Sequence, residues 1–215
     1  VTVAVGNSGV AVAVGLQPVK IVENIKRMEM ITRLKMIECA SMLQFYPCFY
    51  YFWLYYNKQM LDIQFPAQEP LHLQYLVCDL NGTLTCDGKL IAGVQSILNE
   101  LKNVLEIHLL SADTLGQADE IAAQLDVNLT RIALGNEGKQ KAAFIRAIGA
   151  RKVIALGQGA NDALMLKQAA LGICVLSPEG TAAAALVAAD LVAPDILTAL
   201  GLLQHPTRIV ATLRK

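Results

Sequence analysis

Leu76-Val77-Cys78-Asp79-Leu80-Asn81-Gly82-Thr83-Leu84-Thr85 is an apolar run that ends on a carboxylate and passes into a glycine turn. Leu71–Leu80 reads as a strand, and its near-continuous apolarity is that of a strand covered on both faces. In open α/β sheets, ligands bind at the carboxyl ends of strands, which is where Asp79 sits. Outward from here, short apolar runs alternate with amphipathic stretches of helical spacing. Strands are predicted at Leu105–Ser111, Leu129–Leu134, Val153–Leu156, Gly172–Leu176 and Leu191–Ala193. Helices are predicted at Gly93–Val104, Leu115–Leu125, Gln140–Ile148, Asn161–Ala170, Gly180–Ala188 and Ile196–Leu203. Such alternation means an α/β fold, a parallel sheet with helices on both faces.

The segments at the strand ends carry the chemistry. Ser111-Ala112-Asp113-Thr114 follows the second strand, and Gly157-Gln158-Gly159-Ala160-Asn161-Asp162 follows the fourth. A helix opening with Lys139 and Lys141 precedes the fourth strand. A carboxylate, a hydroxyl, a lysine and a second carboxylate suit phosphoryl transfer. Asp79 is the candidate nucleophile, forming an aspartyl-phosphate and splitting one difficult step into two. The Ser111 hydroxyl, a lysine and backbone N–H groups around Gly82, Ala112 and Asn161 are candidate phosphate donors. Asp79 and Asp162 repel each other unless a hard cation lies between them, and Mg²⁺ suits such a carboxylate pair.

Asp79-Leu80-Asn81-Gly82-Thr83-Leu84-Thr85 resembles the first motif of the haloacid dehalogenase (HAD) superfamily, in its P-type ATPase branch. Ser111-Ala112-Asp113-Thr114 is similar to the Thr-Gly-Asp stretch of those ATPases, and Gly157–Asp162 to their Gly-Asp-Gly-x-Asn-Asp hinge. Asp87-Gly88-Lys89-Leu90 and Ile107-His108-Leu109-Leu110 look closer still to the small, cap-less "soluble P-type ATPase" family. The resemblance runs from about Met60 to Lys215, some 156 of the 215 residues. It implies a three-layer, Rossmann-like sheet of strand order 5-4-1-2-3 without a cap domain, so that Asp79, Ser111 and Asp162 converge. It also implies that the Asn81 carbonyl joins Asp79 and Asp162 as a metal ligand. Lys141 is the preferred lysine, because Phe144, Ile145 and Ile148 follow it at the spacing of related pumps; Lys139 is the alternative.

Two departures bear on turnover. Phosphatases of the superfamily carry an Asp two residues after the nucleophile as general acid and base. Here that residue is Asn81, which takes no proton, so good leaving groups such as ADP or nitrophenol are favoured. The first Asp of the hinge is replaced by Gln158, which predicts a lower metal affinity. Twenty-five residues separate Thr85 from Ser111, and twenty-nine separate Ser111 from Lys141. Neither interval holds a cap or the nucleotide-binding domain of a pump.

Eighteen basic residues balance eighteen acidic ones, so there is no basic field for nucleic acid. A 54% hydrophobic content and 17% charged content exclude intrinsic disorder. Mean hydropathy is +0.44, which a sheet buried on both faces accounts for. Five cysteines at irregular spacing give no disulfide framework, and a cytoplasmic location follows as the expectation. Cys78, Cys174 and His108 read as core residues, and Thr83 as a local loop-ordering group. Asp113 reads either as a site residue or as a helix cap.

Residues 1–59 differ in composition. Nine of the twelve aromatics fall between Phe45 and Tyr56, and residues 1–15 form a low-complexity near-palindrome. This stretch reads as an extension, with Met60 as the native start; a small added hairpin and helix is the alternative. The uncharged run from Cys39 to Asn57 contains Pro47 and many tyrosines, and no membrane span is expected.

The expected activity is a Mg²⁺-dependent phosphohydrolase or ATPase-like reaction on a small phosphorylated substrate or ATP. A phosphate- or nucleotide-binding regulatory module without turnover is the alternative. A homo-oligomer is compatible with either.

Overall fold

The computed structural model describes residues 60–112 and 116–214. The expectations for residues 1–59, and for Asp113 and Thr114, lie outside the described residues. The central sheet has six parallel strands: β3 (Tyr75–Asp79), β6 (Glu106–Ser111), β7 (Asn128–Arg131), β8 (Val153–Gly157), β9 (Leu171–Val175) and β10 (Leu191–Ala193). Their order is β10-β9-β8-β3-β6-β7, the expected 5-4-1-2-3 order with a sixth strand added beyond the fifth.

Alternation along β3 divides the core. Cys78 and Leu76 face a cluster built with α1 (Val94–Leu101), α2 (Ala118–Leu125) and α6 (Ile196–Gln204). Val77 faces the other cluster, built with α3 (Glu137–Ile148), α4 (Ala163–Gln168) and α5 (Ala183–Ala188). This period of two follows from the pleat. Cys78 and Cys174 are fully buried, as read from the sequence. His108 packs between the Tyr75 and Phe144 rings, with centroids 5.9 and 5.5 Å away.

The predicted strand Leu71–Leu80 is two strands. β2 (Leu71–Leu73) pairs antiparallel with β1 (Leu61–Ile63), and β3 starts after Gln74. At the break, the Gln74 N–H donates to the Lys152 carbonyl, and the Gln74 carbonyl accepts from Glu106 N–H. Both halves are apolar, so composition could not reveal the change of partner. A further helix, α7 (Pro206–Leu213), opens on a proline at its first position, where the missing N–H costs nothing. Between β3 and α1, β4 (Thr85–Cys86) and β5 (Lys89–Leu90) form a two-residue hairpin. Asp87 and Gly88 take φ of 49° and 73°, the positive values such a turn requires. No cap is inserted among the described residues.

Candidate active site

The β3 strand delivers Asp79 to the carboxyl edge of the sheet, where the chain winds tightly. The Leu80 carbonyl accepts from the N–H groups of Thr83, Leu84 and Thr85 and from the Thr85 hydroxyl. Gly82 has φ of 73°, and a Cβ there would lie 2.3 Å from Gln158 Nε2. The positive φ favours glycine here, and a Cβ would also push the Gln158 amide aside.

The β8 strand delivers the second carboxylate. A Cβ on Gly157 would lie 2.6 Å from Asp162 Cβ, so glycine lets Asp162 fold back over the strand end. Asp162 Oδ2 accepts from the N–H groups of Gln158 at 3.1 Å and Gly159 at 2.9 Å. That leaves Oδ1 facing the centre.

The lysine comes from α3, which starts three residues earlier than its periodicity suggests. Gln140 explains the early start. Its side-chain amide donates to the carbonyls of Ala133 and Gly135 and accepts from Ala133 N–H. This clamp holds the loop against the first helical turn and places the next residue, Lys141, inward. Lys141 is 1% exposed, whereas Lys139 is exposed. The structure thus places Lys141, and not Lys139, beside the two carboxylates.

Lys141 Nζ donates to Asp79 Oδ1 at 2.5 Å and to Asp162 Oδ1 at 2.6 Å. The Thr83 hydroxyl donates to Asp79 Oδ2 at 3.1 Å. Thr83 orders the loop, as expected, and does so through the candidate nucleophile itself. Two buried carboxylates and one ammonium leave one negative charge in excess. Burial, then the Asp162 charge, push the Asp79 carboxyl up to about 7, against the pull of Lys141 and Thr83. Burial pushes the Lys141 ammonium down, but the two carboxylates outweigh it and hold its pKa above the ordinary value.

Ser111 is buried at the end of β6, one residue beyond Leu110, which pairs with Asp79. Ala112 follows it. Asn161 is exposed in the turn before α4. The structure thus gathers Asp79, Lys141 and Asp162 in direct contact and sets Ser111 on the adjacent strand end.

Two features escaped the sequence reading. Gln158 Nε2 donates to the Asn81 carbonyl at 3.4 Å, joining the two loops across the site. Glu179, on the loop after β9, accepts from Asp87 N–H at 2.7 Å and ties the hairpin tip to that loop. Neither Gln158 nor Glu179 lies at a spacing that announces such a contact.

The donor set fits a small hard cation. The Asp79 and Asp162 carboxylates lie close enough together to share the Lys141 ammonium, and the Asn81 carbonyl lies in the adjoining loop. All three are oxygen donors, the preference of Mg²⁺. The thiol of Cys78 faces the opposite side of the sheet.

Comparison with solved structures bears on the fold. The cobalt-bound deoxy-D-mannose-octulosonate 8-phosphate phosphatase of Haemophilus influenzae matches with a TM-score of 0.53 at 12% identity, over 66% of this chain and 94% of that one. A Legionella pneumophila protein described as a HAD superfamily (subfamily III A) hydrolase gives 0.50 at 16% identity, over 66% and 87%. At these identities the likeness is one of fold, and the fold is that of the HAD superfamily. The chain belongs to one family with the uncharacterized protein MJ0073 of Methanocaldococcus jannaschii. They share 47% identity over 64 residues, 30% of this chain and 69% of that protein. The uncharacterized MJ0072 of the same organism is 51% identical over 39 residues, 18% of this chain and 89% of that protein. No protein-family model matches the chain. Among the described residues, no helix is long and apolar enough to cross a membrane.

Proposed function

We propose that the protein is a Mg²⁺-dependent phosphohydrolase acting through an aspartyl-phosphate on Asp79. The observation that carries this reading is the convergence of Asp79, Lys141 and Asp162 at the carboxyl edge of a HAD-type sheet. Support for a divalent cation comes from the oxygen donor set and from the cobalt in the Haemophilus influenzae phosphatase. Asp79, Asp162 and the Asn81 carbonyl would hold the cation. When bound it supplies positive charge, offsetting the two carboxylates and drawing charge from the phosphoryl oxygens.

The chain's own groups do the rest. An Asp79 carboxylate oxygen attacks phosphorus, and the bond to the leaving oxygen breaks with its electron pair. Lys141 and the Ser111 hydroxyl donate to the phosphoryl oxygens, with the backbone N–H groups of Gly82, Ala112 and Asn161. Thr83 holds the second Asp79 oxygen and so orients the attacking one. Water then attacks the aspartyl-phosphate, the bond from phosphorus to the Asp79 oxygen breaks, and inorganic phosphate leaves. Asn81 has no proton to give the leaving group and takes none from the water. The first step therefore favours substrates whose leaving oxygen departs unprotonated, and in the second the water attacks without a general base at this position. The catalytic unit is assigned to residues 60–215.

The contact from Gln158 to the Asn81 carbonyl favours a second reading. In it the carbonyl is already engaged, metal is held weakly, and the protein binds phosphate without turning it over. Acid-quenched labelling with a ³²P-labelled substrate separates the two. The hydrolase reading expects covalent label in the wild type and none in Asp79→Asn. Label at the wild-type level in Asp79→Asn would refute it.

A further inference from the structure

Beside the catalytic turn lies a cavity of about 190 Å³, between the β4–β5 hairpin and the loops after β9 and β10. Gly82 and Thr83 form one end of it, and Ile91, Leu176, Ile196 and Leu197 form walls. Asp195 also borders it, but both its oxygens are spent on capping α6. Oδ1 accepts from Thr198 N–H at 2.7 Å and Oδ2 from the Thr198 hydroxyl at 2.8 Å. The Ser177 hydroxyl accepts from Glu179 N–H at 3.2 Å, and apart from it and the Cys86 thiol the rest of the lining is apolar. Leu176 and Leu197 are 42% and 37% exposed, unusual for leucines at the mouth of a polar site. Another cavity, about 410 Å³, lies at the start of β6 and β7, the opposite end of the sheet from Asp79.

We infer that this cavity receives the leaving group of the substrate, and that the substrate is an aryl phosphate ester. The inference rests on the hydrolase reading above and adds the substrate class to it. Two independent observations meet here. Asn81 supplies no proton, so the departing oxygen must be stable as an anion; a phenolate is, with a parent pKa near 10. The space adjoining the reacting loop is apolar and of ring size: an apolar cavity of about 150 Å³ accepts benzene. ATP fits less well. Next to its transferred phosphorus stands another charged phosphate, which an apolar wall would desolvate without a partner.

The step balances. Asp79 bonds to phosphorus, the bond from phosphorus to the aryl oxygen breaks, and the aryl oxide leaves with the electron pair. Water then cleaves the aspartyl-phosphate, one of its protons going through solvent to the aryl oxide. The sum is aryl phosphate plus water giving phenol plus inorganic phosphate.

Phenylphosphonate and methylphosphonate test this without turnover, because their carbon–phosphorus bonds do not hydrolyse. Calorimetric titration of the full-length protein with Mg²⁺ should show phenylphosphonate binding at least about tenfold tighter, the scale of burying one ring. Leu197→Glu and Leu176→Asn alter exposed rim residues and leave the core intact. Each should abolish most of that preference while leaving methylphosphonate affinity within about twofold. No preference in the wild type, or a preference unchanged in both variants, overturns the inference. A wild type that prefers phenylphosphonate yet hydrolyses no phosphate ester supports the cavity assignment and refutes the hydrolase reading instead.

Discussion

Replacing Lys141 by Met removes the only ammonium among the three buried charges described at the site and leaves Asp79 and Asp162 facing each other. Breaking a buried ion pair by removing one partner costs about 3–5 kcal/mol. For a domain of this size, each kcal/mol moves the melting temperature by about 2–4 °C, so a drop of roughly 6–20 °C is expected in EDTA at alkaline pH. The loss must also depend on pH. Asp79 already titrates at about 7 in the folded wild type, well above its ordinary 3.8. A group with a raised folded pKa contributes stability below its unfolded pKa that is lost as pH rises to the folded one. In the wild type this loss is complete near pH 7. Without Lys141 the folded pKa of Asp79 lies higher, so the variant goes on losing stability above pH 7, at about 1.4 kcal/mol per pH unit. Below pH 7 Asp79 is protonated in both proteins, and only the Asp162 share of the gap remains. Thermal melts of both proteins at pH 6 and pH 9 measure this directly. Excess Mg²⁺ should narrow the gap, because a cation bound only by the folded state stabilises it. A gap equal at the two pH values, or no gap at all, would refute the placement of Lys141 between two charged carboxylates.

Asn81→Asp should raise turnover more for an alkyl phosphate than for nitrophenyl phosphate, within the range of about 10²–10⁴-fold typical of an acid/base group; steady-state kinetics on both substrates checks it. Gln158→Asp should tighten Mg²⁺ binding about tenfold or more in calorimetric titration, since it adds a carboxylate and removes the Gln158 amide that donates to the Asn81 carbonyl. An unchanged affinity would show that Gln158 is not what limits the metal. A chain comprising residues 60–215 should melt cooperatively and retain metal binding, because every core and site residue described above lies in it; loss of cooperative unfolding would assign residues 1–59 to the core.

Much of this site is legible in one dimension because each group is attached to a strand end. Asp79 and Ser111 close apolar runs, and Asp162 follows one within a glycine turn, so the alternation places all three on one edge. The sequence preferred Lys141 over Lys139 from the apolar residues that follow it, and the fold shows why they differ: Lys141 shares the buried face of α3 with Ala142 and Ile145, while Lys139 stays exposed. The Gln158 contact was illegible. It joins residues 77 positions apart, and a glutamine side chain carries no periodic signal. The split of Leu71–Leu80 was hidden because strand partners can change from antiparallel to parallel without any change of composition. The apolar cavity was invisible too, since its walls come from segments far apart in the chain.

β3 is the middle of the sheet in a stricter sense than its position suggests. It is bonded along its length to β6 on one side and β8 on the other, each in parallel register. Opening it means breaking two ladders at once, so its amides belong to the last cooperative unit to exchange with solvent. Asp79 hangs from the end of this strand, and Asp162 follows β8, which is itself laddered to β3 and to β9, so both carboxylates are tied to doubly bonded strands. Lys141 is carried by α3, outside these ladders, so of the three groups it is the ammonium whose position rests on helix packing and on the Gln140 contacts rather than on the sheet.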